Sequence, residues 1–79
     1  MFGEQVLLQN GFVIEVFFLP GKGYRLCCRK GKEVQVEYKS NGKYHSRELR
    51  GRRNAYEFRS VEQLRYDFER DAENAQRQA

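Results

Sequence analysis

Residues 24–39 read YRLCCRKGKEVQVEYK, and this stretch predicts the β-hairpin around which the rest of the chain is arranged. A three-residue loop at Lys30-Gly31-Lys32, with glycine supplying a positive φ, makes both flanking runs agree on which face is buried. A two-residue loop at Lys30-Gly31 would set Arg25 against Val36, which neither face of a sheet favours. The predicted pairs are Tyr24 with Tyr38, Leu26 with Val36 and Cys28 with Val34 on the apolar face, and Arg25 with Glu37 and Arg29 with Glu33 on the other.

Two further strands are predicted before this hairpin, over Glu4–Gln9 and Phe12–Leu19. Asn10-Gly11 lies between them and is the sequence signal of a type I′ hairpin turn. The loop Pro20–Gly23 ends the second strand, because proline cannot donate to a ladder and glycine permits a reversal. A five-residue loop from Leu19 to Gly23 aligns the alternate residues of the two strands around it, pairing Phe18 with Tyr24, Val16 with Leu26 and Ile14 with Cys28.

A fifth strand follows the second Asn-Gly turn, at Asn41-Gly42. A two-residue turn there would place Arg47 opposite Val36 and His45 opposite Tyr38, which breaks the apolar face. Either a bulge intervenes, or this strand lies at the edge of the sheet, where Arg47 can extend its charged end into water. We favour the edge position. Leu49–Arg59 then reads as an exposed turn and a short extended segment.

One helix is predicted over Val61–Arg77. Ser60 is the N-cap, and Gln63 completes a capping box. A narrow apolar stripe along this helix consists of Val61, Leu64, Phe68, Ala72 and Ala75. The sequence therefore predicts one small α+β domain over residues 1–79, a four- to five-stranded antiparallel meander with one C-terminal helix packed on one face.

Charge is distributed unevenly along the chain, whose formal net charge is +4. Residues 21–59 carry twelve Lys or Arg against four Glu, a net charge of +8, whereas the segments on either side each carry −2. This asymmetry indicates an anionic partner, either nucleic acid or an acidic protein surface. The alternative is a surface that only keeps the protein soluble.

The most basic stretch, Leu49–Arg59, combines four arginines with two aromatic residues, Tyr56 and Phe58. Guanidinium groups suit phosphate and aromatic faces accept bases, although the same stretch can be a solvated loop whose aromatics close the core. The candidate binding residues are Arg50, Arg52, Arg53 and Arg59 in this stretch, and Arg25, Arg29, Lys39, Lys43 and Tyr44 on the sheet and its turns.

Metal, cofactor and enzyme sites are not predicted. Cys27 and Cys28 are adjacent, too close for ordinary disulfide geometry, and alternation places Cys27 at the surface and Cys28 in the core. His45 is the single histidine, so a zinc site is not expected, and His45 and Ser46 lie on opposite faces of their strand. The sequence also lacks a membrane-spanning apolar run and the features of a signal peptide, which predicts a cytoplasmic protein.

Residues 24–70 resemble the small phage-encoded anti-CRISPR proteins built from an antiparallel meander and a packed helix. The resemblance is carried by the hairpin Tyr24–Lys39, the turn Asn41-Gly42-Lys43 and the segment from Phe58 through Leu64 to Phe68. It implies a non-enzymatic inhibitor that occupies the DNA-binding surface of a CRISPR surveillance complex. The extra N-terminal hairpin and the arginine-rich insertion depart from that pattern.

A second likeness is to the DNA-binding domains of phage integrases, in which a three-stranded sheet enters the major groove. It implies that Arg25, Arg29 and Lys39 face DNA. Two functions are thus expected from the sequence. The first is a small inhibitor that binds a nucleic-acid-handling protein or ribonucleoprotein complex of a host through a basic surface. The alternative is a direct DNA- or RNA-binding module, and the oligomeric state is open in both.

Overall fold

Six strands and one helix are present in the computed structural model, which describes residues 2–8, 10–19 and 21–77. They are β1 (Phe2–Leu7), β2 (Phe12–Leu19), β3 (Gly23–Lys30), β4 (Glu33–Ser40), β5 (His45–Leu49), β6 (Arg52–Ala55) and α1 (Val61–Arg77). Each strand pairs antiparallel with its neighbour in sequence, in the order β1 to β6. The predicted α+β meander with a C-terminal helix is confirmed, whereas the strand count of four to five is too low because β6 adds a strand.

The N-terminal hairpin forms with a longer turn than a two-residue type I′ loop. Leu8 N donates to Phe12 O at 2.8 Å, so three residues separate these two, and Asn10 Oδ1 accepts a bond from Phe12 N at 3.1 Å. β1 begins at Phe2 instead of Glu4. Gln9 and Pro20, which belong to the predicted strand end and the second predicted turn, lie outside the described residues.

The second hairpin has the predicted register in every pair. Phe18 lies opposite Tyr24, Val16 opposite Leu26, and Ile14 opposite Cys28. This register depends on Gly23, whose φ is +107° and where an added Cβ would lie 2.0 Å from the carbonyl oxygen of Ser40. Only glycine fits this backbone conformation and this close approach.

The central hairpin differs from the predicted register by two residues. Lys30 lies opposite Glu33, so the turn is only Gly31-Lys32, and a bulge at Gln35 then places Cys28 opposite Val36. The remaining pairs are Leu26 with Tyr38 and Tyr24 with Ser40. Because an even shift keeps side chains on the same faces, Leu26, Val36 and Tyr38 lie on the buried face as predicted. The assignment of Val34 is wrong: between the turn and the bulge the shift is one residue, so Val34 lies opposite Arg29 on the other face of the sheet.

Of the two charge pairs predicted for this hairpin, one forms and the other does not. Arg25 Nε lies 2.8 Å from Glu37 Oε2, but this ion pair is diagonal, since Lys39 is directly opposite Arg25. The pair of Arg29 with Glu33 is wrong: Arg29 Nε instead contacts Glu15 Oε1 of β2 at 3.1 Å.

The predicted edge position of the fifth strand is also wrong. β5 lies between β4 and β6, and its register sets Arg47 opposite Tyr38 and His45 opposite Ser40. The guanidinium of Arg47 is not simply solvated, because its Nε donates a hydrogen bond to Asp71 Oδ2 of the helix at 2.9 Å. Arg47 is therefore paired with a buried carboxylate, whereas the sequence predicted that its charged end lies in water.

The helix has the predicted bounds, Val61–Arg77. Ser60 caps it, since Ser60 Oγ accepts a bond from Gln63 N at 3.1 Å, but the Gln63 side chain binds Asp67 and does not complete the capping box. Leu64, Phe68, Ala72 and Ala75 are buried as predicted, whereas Val61 is 46% exposed. The core of the protein thus lies between this stripe and the inner face of the central strands.

Asp71 is the one buried charged residue in the part of the chain that the structure describes. Its carboxylate accepts a short hydrogen bond from the Tyr38 hydroxyl as well as the bond from Arg47, and Arg70 Nε lies 3.5 Å away. Tyr38 also packs edge-to-face on Phe68. Apolar packing and a satisfied charge therefore join the helix to β4 and β5 at one place.

Replacing Phe68 by Ala should lower the free energy of unfolding by about 3–5 kcal/mol, because it removes a buried ring and leaves a cavity. Tyr66→Ala on the same helix is the matched control, since Tyr66 is 61% exposed. Urea denaturation measures both. Equal losses in the two variants would show that the helix does not pack through Phe68.

Replacing Asp71 by Ala should cost about 2–4 kcal/mol, because the buried hydroxyl of Tyr38 and the half-buried guanidinium of Arg47 lose their acceptor. Glu69→Ala, at an exposed position two residues before it, is the control and should stay within about 0.5 kcal/mol. A loss as small in Asp71→Ala as in the control would contradict the anchoring role of Asp71.

Candidate functional site

The sheet face turned away from the helix collects several of the predicted binding residues. This outer sheet face is defined by Glu15, Arg25, Cys27, Arg29, Glu37, Lys39, Glu48 and Arg53. Its centre is a row in which each residue is the register partner of the next. The row runs across strands β2 to β6 as Glu15, Cys27, Glu37, Glu48 and Arg53.

Three glutamates of this row are held by three arginines. Arg29 Nε lies 3.1 Å from Glu15 Oε1, and Arg25 Nε lies 2.8 Å from Glu37 Oε2. Arg53 Nη2 lies 2.9 Å from Glu48 Oε1 and 3.7 Å from Glu37 Oε1, so it bridges two like charges that face each other in the ladder. The centre of the outer sheet face is therefore close to neutral, not basic.

Cys27 lies beneath these ion pairs and is fully buried, which corrects the prediction of a surface thiol. Alternation does place it on the outer sheet face, but the side chains of its charged neighbours cover it. Burial raises the pKa of the Cys27 thiol, and Glu37 and Glu15 add to this effect while Arg25 and Arg29 oppose it. The thiol is protonated and shielded at neutral pH, which disfavours nucleophilic chemistry.

An apolar border flanks the charged row on the β1–β2 side. The ring of Phe17 lies over Gly3, where an added Cβ would be 2.8 Å from Phe17 Cδ1. Leu7 and Leu19 are 75% and 39% exposed. Exposed apolar side chains therefore lie beside the charged pairs on the same face of the sheet.

The residues Lys39, Lys43 and Tyr44 meet at one end of the sheet. There the β2–β3 loop touches the β4–β5 loop, since a Cβ at Gly42 would lie 3.5 Å from the Gly21 carbonyl oxygen. Tyr44 is 69% exposed, and Lys43 Nζ lies 5.7 Å from its ring centroid. Lys22, Lys39 and Lys43 are exposed and form no ion pair with a carboxylate of residues 2–8, 10–19 or 21–77.

The remaining predicted arginines do not converge. Arg50 occupies the β5–β6 turn with a φ of +49°, and its backbone N–H donates to Gln35 O at 2.9 Å. Arg52 and Arg53 are adjacent in β6 and so belong to opposite faces. Arg59 lies ahead of the helix, 3.7 Å from Glu57 with both side chains mostly exposed. The arginine-rich stretch is therefore not one cluster.

His45 serves packing in this structure. Its Nδ1 and the Tyr24 hydroxyl share a hydrogen bond of 2.9 Å, and its ring stacks on Phe58 with centroids 5.0 Å apart. Burial raises the pKa of Tyr24 to about 12, so that hydroxyl keeps its proton at neutral pH.

Comparison with known proteins gives no relatives: no family model, no curated protein and no solved structure matches this chain significantly. Among the described residues, no group of three or more His, Cys, Asp and Glu side chains could hold a metal ion. No helix in the same ranges is both long and apolar enough to cross a membrane.

Sequence reasoning missed Glu15, Glu48 and Cys27 as parts of one surface. Each glutamate lies on a different strand, and only the registers of four consecutive strand pairs bring them into a row. The available signal was the predicted Arg25–Glu37 pair, which shows that charges on this face are matched in the sequence.

Native Cys27 should react with Ellman's reagent at least about tenfold more slowly than in urea, because both access and the thiolate fraction are reduced. A Cys28→Ala background isolates this thiol. Because the pKa is raised, the rate should keep rising with pH above the ordinary cysteine value of about 8.5. Glu37→Ser should speed the reaction, because it uncovers the thiol and removes a carboxylate that raises the thiol pKa, whereas Glu57→Ser, at an exposed position, should not. A native rate equal to the rate in urea would show that the neighbouring side chains do not shield Cys27.

Proposed function

We propose that this chain is a small non-enzymatic inhibitor or adaptor that docks its outer sheet face on a protein of a nucleic-acid-handling complex. The observation that carries the proposal is the glutamate row, whose three carboxylates already occupy Arg25, Arg29 and Arg53. The anti-CRISPR resemblance supplies the class of partner, a CRISPR surveillance complex.

The charges of this face favour a protein over nucleic acid. A phosphate approaching Arg25 or Arg29 would have to displace a carboxylate and then remain beside two others, which repel it. A protein surface can instead place opposite charges against each pair and apolar groups against Leu7, Phe17 and Leu19. Partner choice would then depend on the pattern of charge, not on its sum.

The size of the face suits such a role. Five strand spacings and strands of four to eight residues give a flat area of roughly 500 Å². A standard-size protein interface takes about 800 Å² of accessible surface from each partner, and side chains standing on a sheet supply more accessible surface than its flat area. The whole outer sheet face would therefore be used.

A second candidate, direct nucleic-acid binding, is favoured by the end of the sheet with Lys22, Lys39 and Lys43. These cations have no carboxylate partner in the described part of the chain, and exposed Tyr44 offers a ring on which a base can stack. Such contact would need only a short single-stranded segment, since the cluster is confined to two loops and the adjoining end of β4.

Exchanging the charges of one ion pair tests the first proposal. Arg25→Glu/Glu37→Arg keeps the net charge and the pair between these two positions but inverts the pattern, so capture of the partner from nuclease-treated lysate of a CRISPR-bearing bacterium should fall at least about tenfold. Because the exchange also replaces the 3.7 Å contact of Glu37 with Arg53 by two like charges, thermal melting first establishes that the variant is folded. The matched control is Arg59→Glu/Glu57→Arg, which inverts the exposed pair ahead of the helix and should leave capture unchanged. Quantitative mass spectrometry of the bound proteins measures both.

Titration with labelled duplex and single-stranded DNA at low and high salt is the second arm of this experiment. The first proposal expects dissociation constants weaker than about 10 µM at about 0.15 M salt. Tighter binding that Lys43→Glu and Tyr44→Ala abolish would select the second candidate. A protein captured equally well by parent and by the Arg25/Glu37 exchange would overturn the docking face.

A further inference from the structure

The helix covers only part of the sheet face on which it lies. An α-helix is about 10 Å wide, whereas six strands span about 24 Å. α1 is anchored over β4 and β5 through Asp71, which leaves the inner side of β1 open. On β2, Phe12 and Val16 are buried in the core and Ile14 is only half-buried. Between β1, β2 and the helix runs a groove of about 450 Å³.

This groove is apolar along its floor and walls. Its strand side is formed by Val6, Leu8, Ile14 and Val16, and its helix side by Phe68 and Ala72. Val6 is 41% exposed and Ile14 is half-buried. One end is closed where Asn10 Nδ2 donates to Gln76 Oε1 at 2.9 Å.

The rim of the groove is acidic, although the chain as a whole is basic. Glu4 borders it on β1, and Glu69 and Glu73 border it on the helix, against one cation, Arg65. Glu73 also contacts Arg77, but both of these side chains are mostly exposed, and exposed ion pairs of this kind bind weakly. A ligand with apolar and positive groups therefore complements the groove.

We propose that the groove binds one amphipathic helix of a partner protein, with its apolar face on the groove floor and Lys or Arg residues opposite Glu4, Glu69 and Glu73. From Arg65 to Gln76 the groove follows α1 for about 17 Å, three helical turns. A second helix lying beside α1 at the usual interaxial distance of 8–10 Å would complete the cover of the sheet.

A second copy of this chain is a poorer occupant. A twofold contact through the groove would bring the carboxylates of both rims together and so oppose association. The inference does not depend on the proposed function, because the groove lies on the opposite face of the sheet from Arg25 and Glu37.

Fluorescence anisotropy with a labelled leucine–lysine peptide of about 18 residues tests the groove, with leucine at helical spacing i, i+3, i+4 and i+7. Val6→Arg should weaken binding at least about tenfold, since it puts bulk and positive charge into the groove. Leu7→Arg is the matched control, because the next residue of β1 faces the outer side, and it should stay within about twofold. Thermal melting establishes that both variants are folded.

Charge is tested separately from shape. Glu69→Gln/Glu73→Gln, at two exposed helix positions, should weaken binding several-fold and flatten its salt dependence. A peptide with glutamate in place of lysine should bind at least about tenfold more weakly than the leucine–lysine peptide. The Arg25→Glu/Glu37→Arg protein should bind the leucine–lysine peptide like the parent, so loss of this proposal and loss of the proposed function are distinguishable.

Three outcomes would overturn the inference. One is no binding of the peptide by the parent below about 100 µM, weaker than recognition by a formed groove. Another is equal loss in Val6→Arg and Leu7→Arg, which would place the contact elsewhere. The third is a parent dimer in sedimentation equilibrium that Val6→Arg dissociates, which would assign the groove to a second copy.

Discussion

The buried carboxylate of Asp71 determines how the two layers of this protein fit together. Hydrophobic contact alone is not directional, and a stripe that ends in Ala72 and Ala75 offers few side-chain atoms to fix the position of the helix. Asp71 fixes the position of the helix, because its Oδ2 accepts hydrogen bonds from the Tyr38 hydroxyl and the Arg47 guanidinium at the same time. Burial and the hydrogen bond to Asp71 raise the pKa of Tyr38, so the hydroxyl remains a donor throughout the neutral range.

Local signals explain what could be predicted from the sequence. The helix begins at its N-cap Ser60 and ends as the apolar stripe ends, and the β2–β3 register is fixed by one short loop with Gly23 at its end. The β3–β4 register could not be predicted in the same way. The bulge at Gln35 inserts one extra residue into β4, and no residue type there distinguishes a bulge from a regular strand. β6 was missed because Arg52–Ala55 is exposed throughout and shows no alternation of apolar and polar residues.

The candidate site was less accessible to sequence reasoning than the fold. Basic residues are visible as a composition, but the carboxylates that neutralise them come from β2, β4 and β5, and their meeting depends on every register between. Two anomalies did carry information together: Arg47 interrupts an apolar alternation, and Asp71 interrupts an apolar helix stripe. Buried charges are stable only in pairs, so two such interruptions predict one contact.

The meander has a consequence for the order in which the chain folds during synthesis. Every strand pairs with its immediate neighbour through a short turn, so each hairpin closes with little loss of chain entropy and can form as soon as it leaves the ribosome. The contact of Tyr38 with Asp71 spans 33 residues and involves a helix that emerges after all six strands. Until the helix has been synthesised, the apolar side chains of Leu26, Val36 and Tyr38 on the nascent sheet are exposed to water. The chain is most prone to aggregation during this interval.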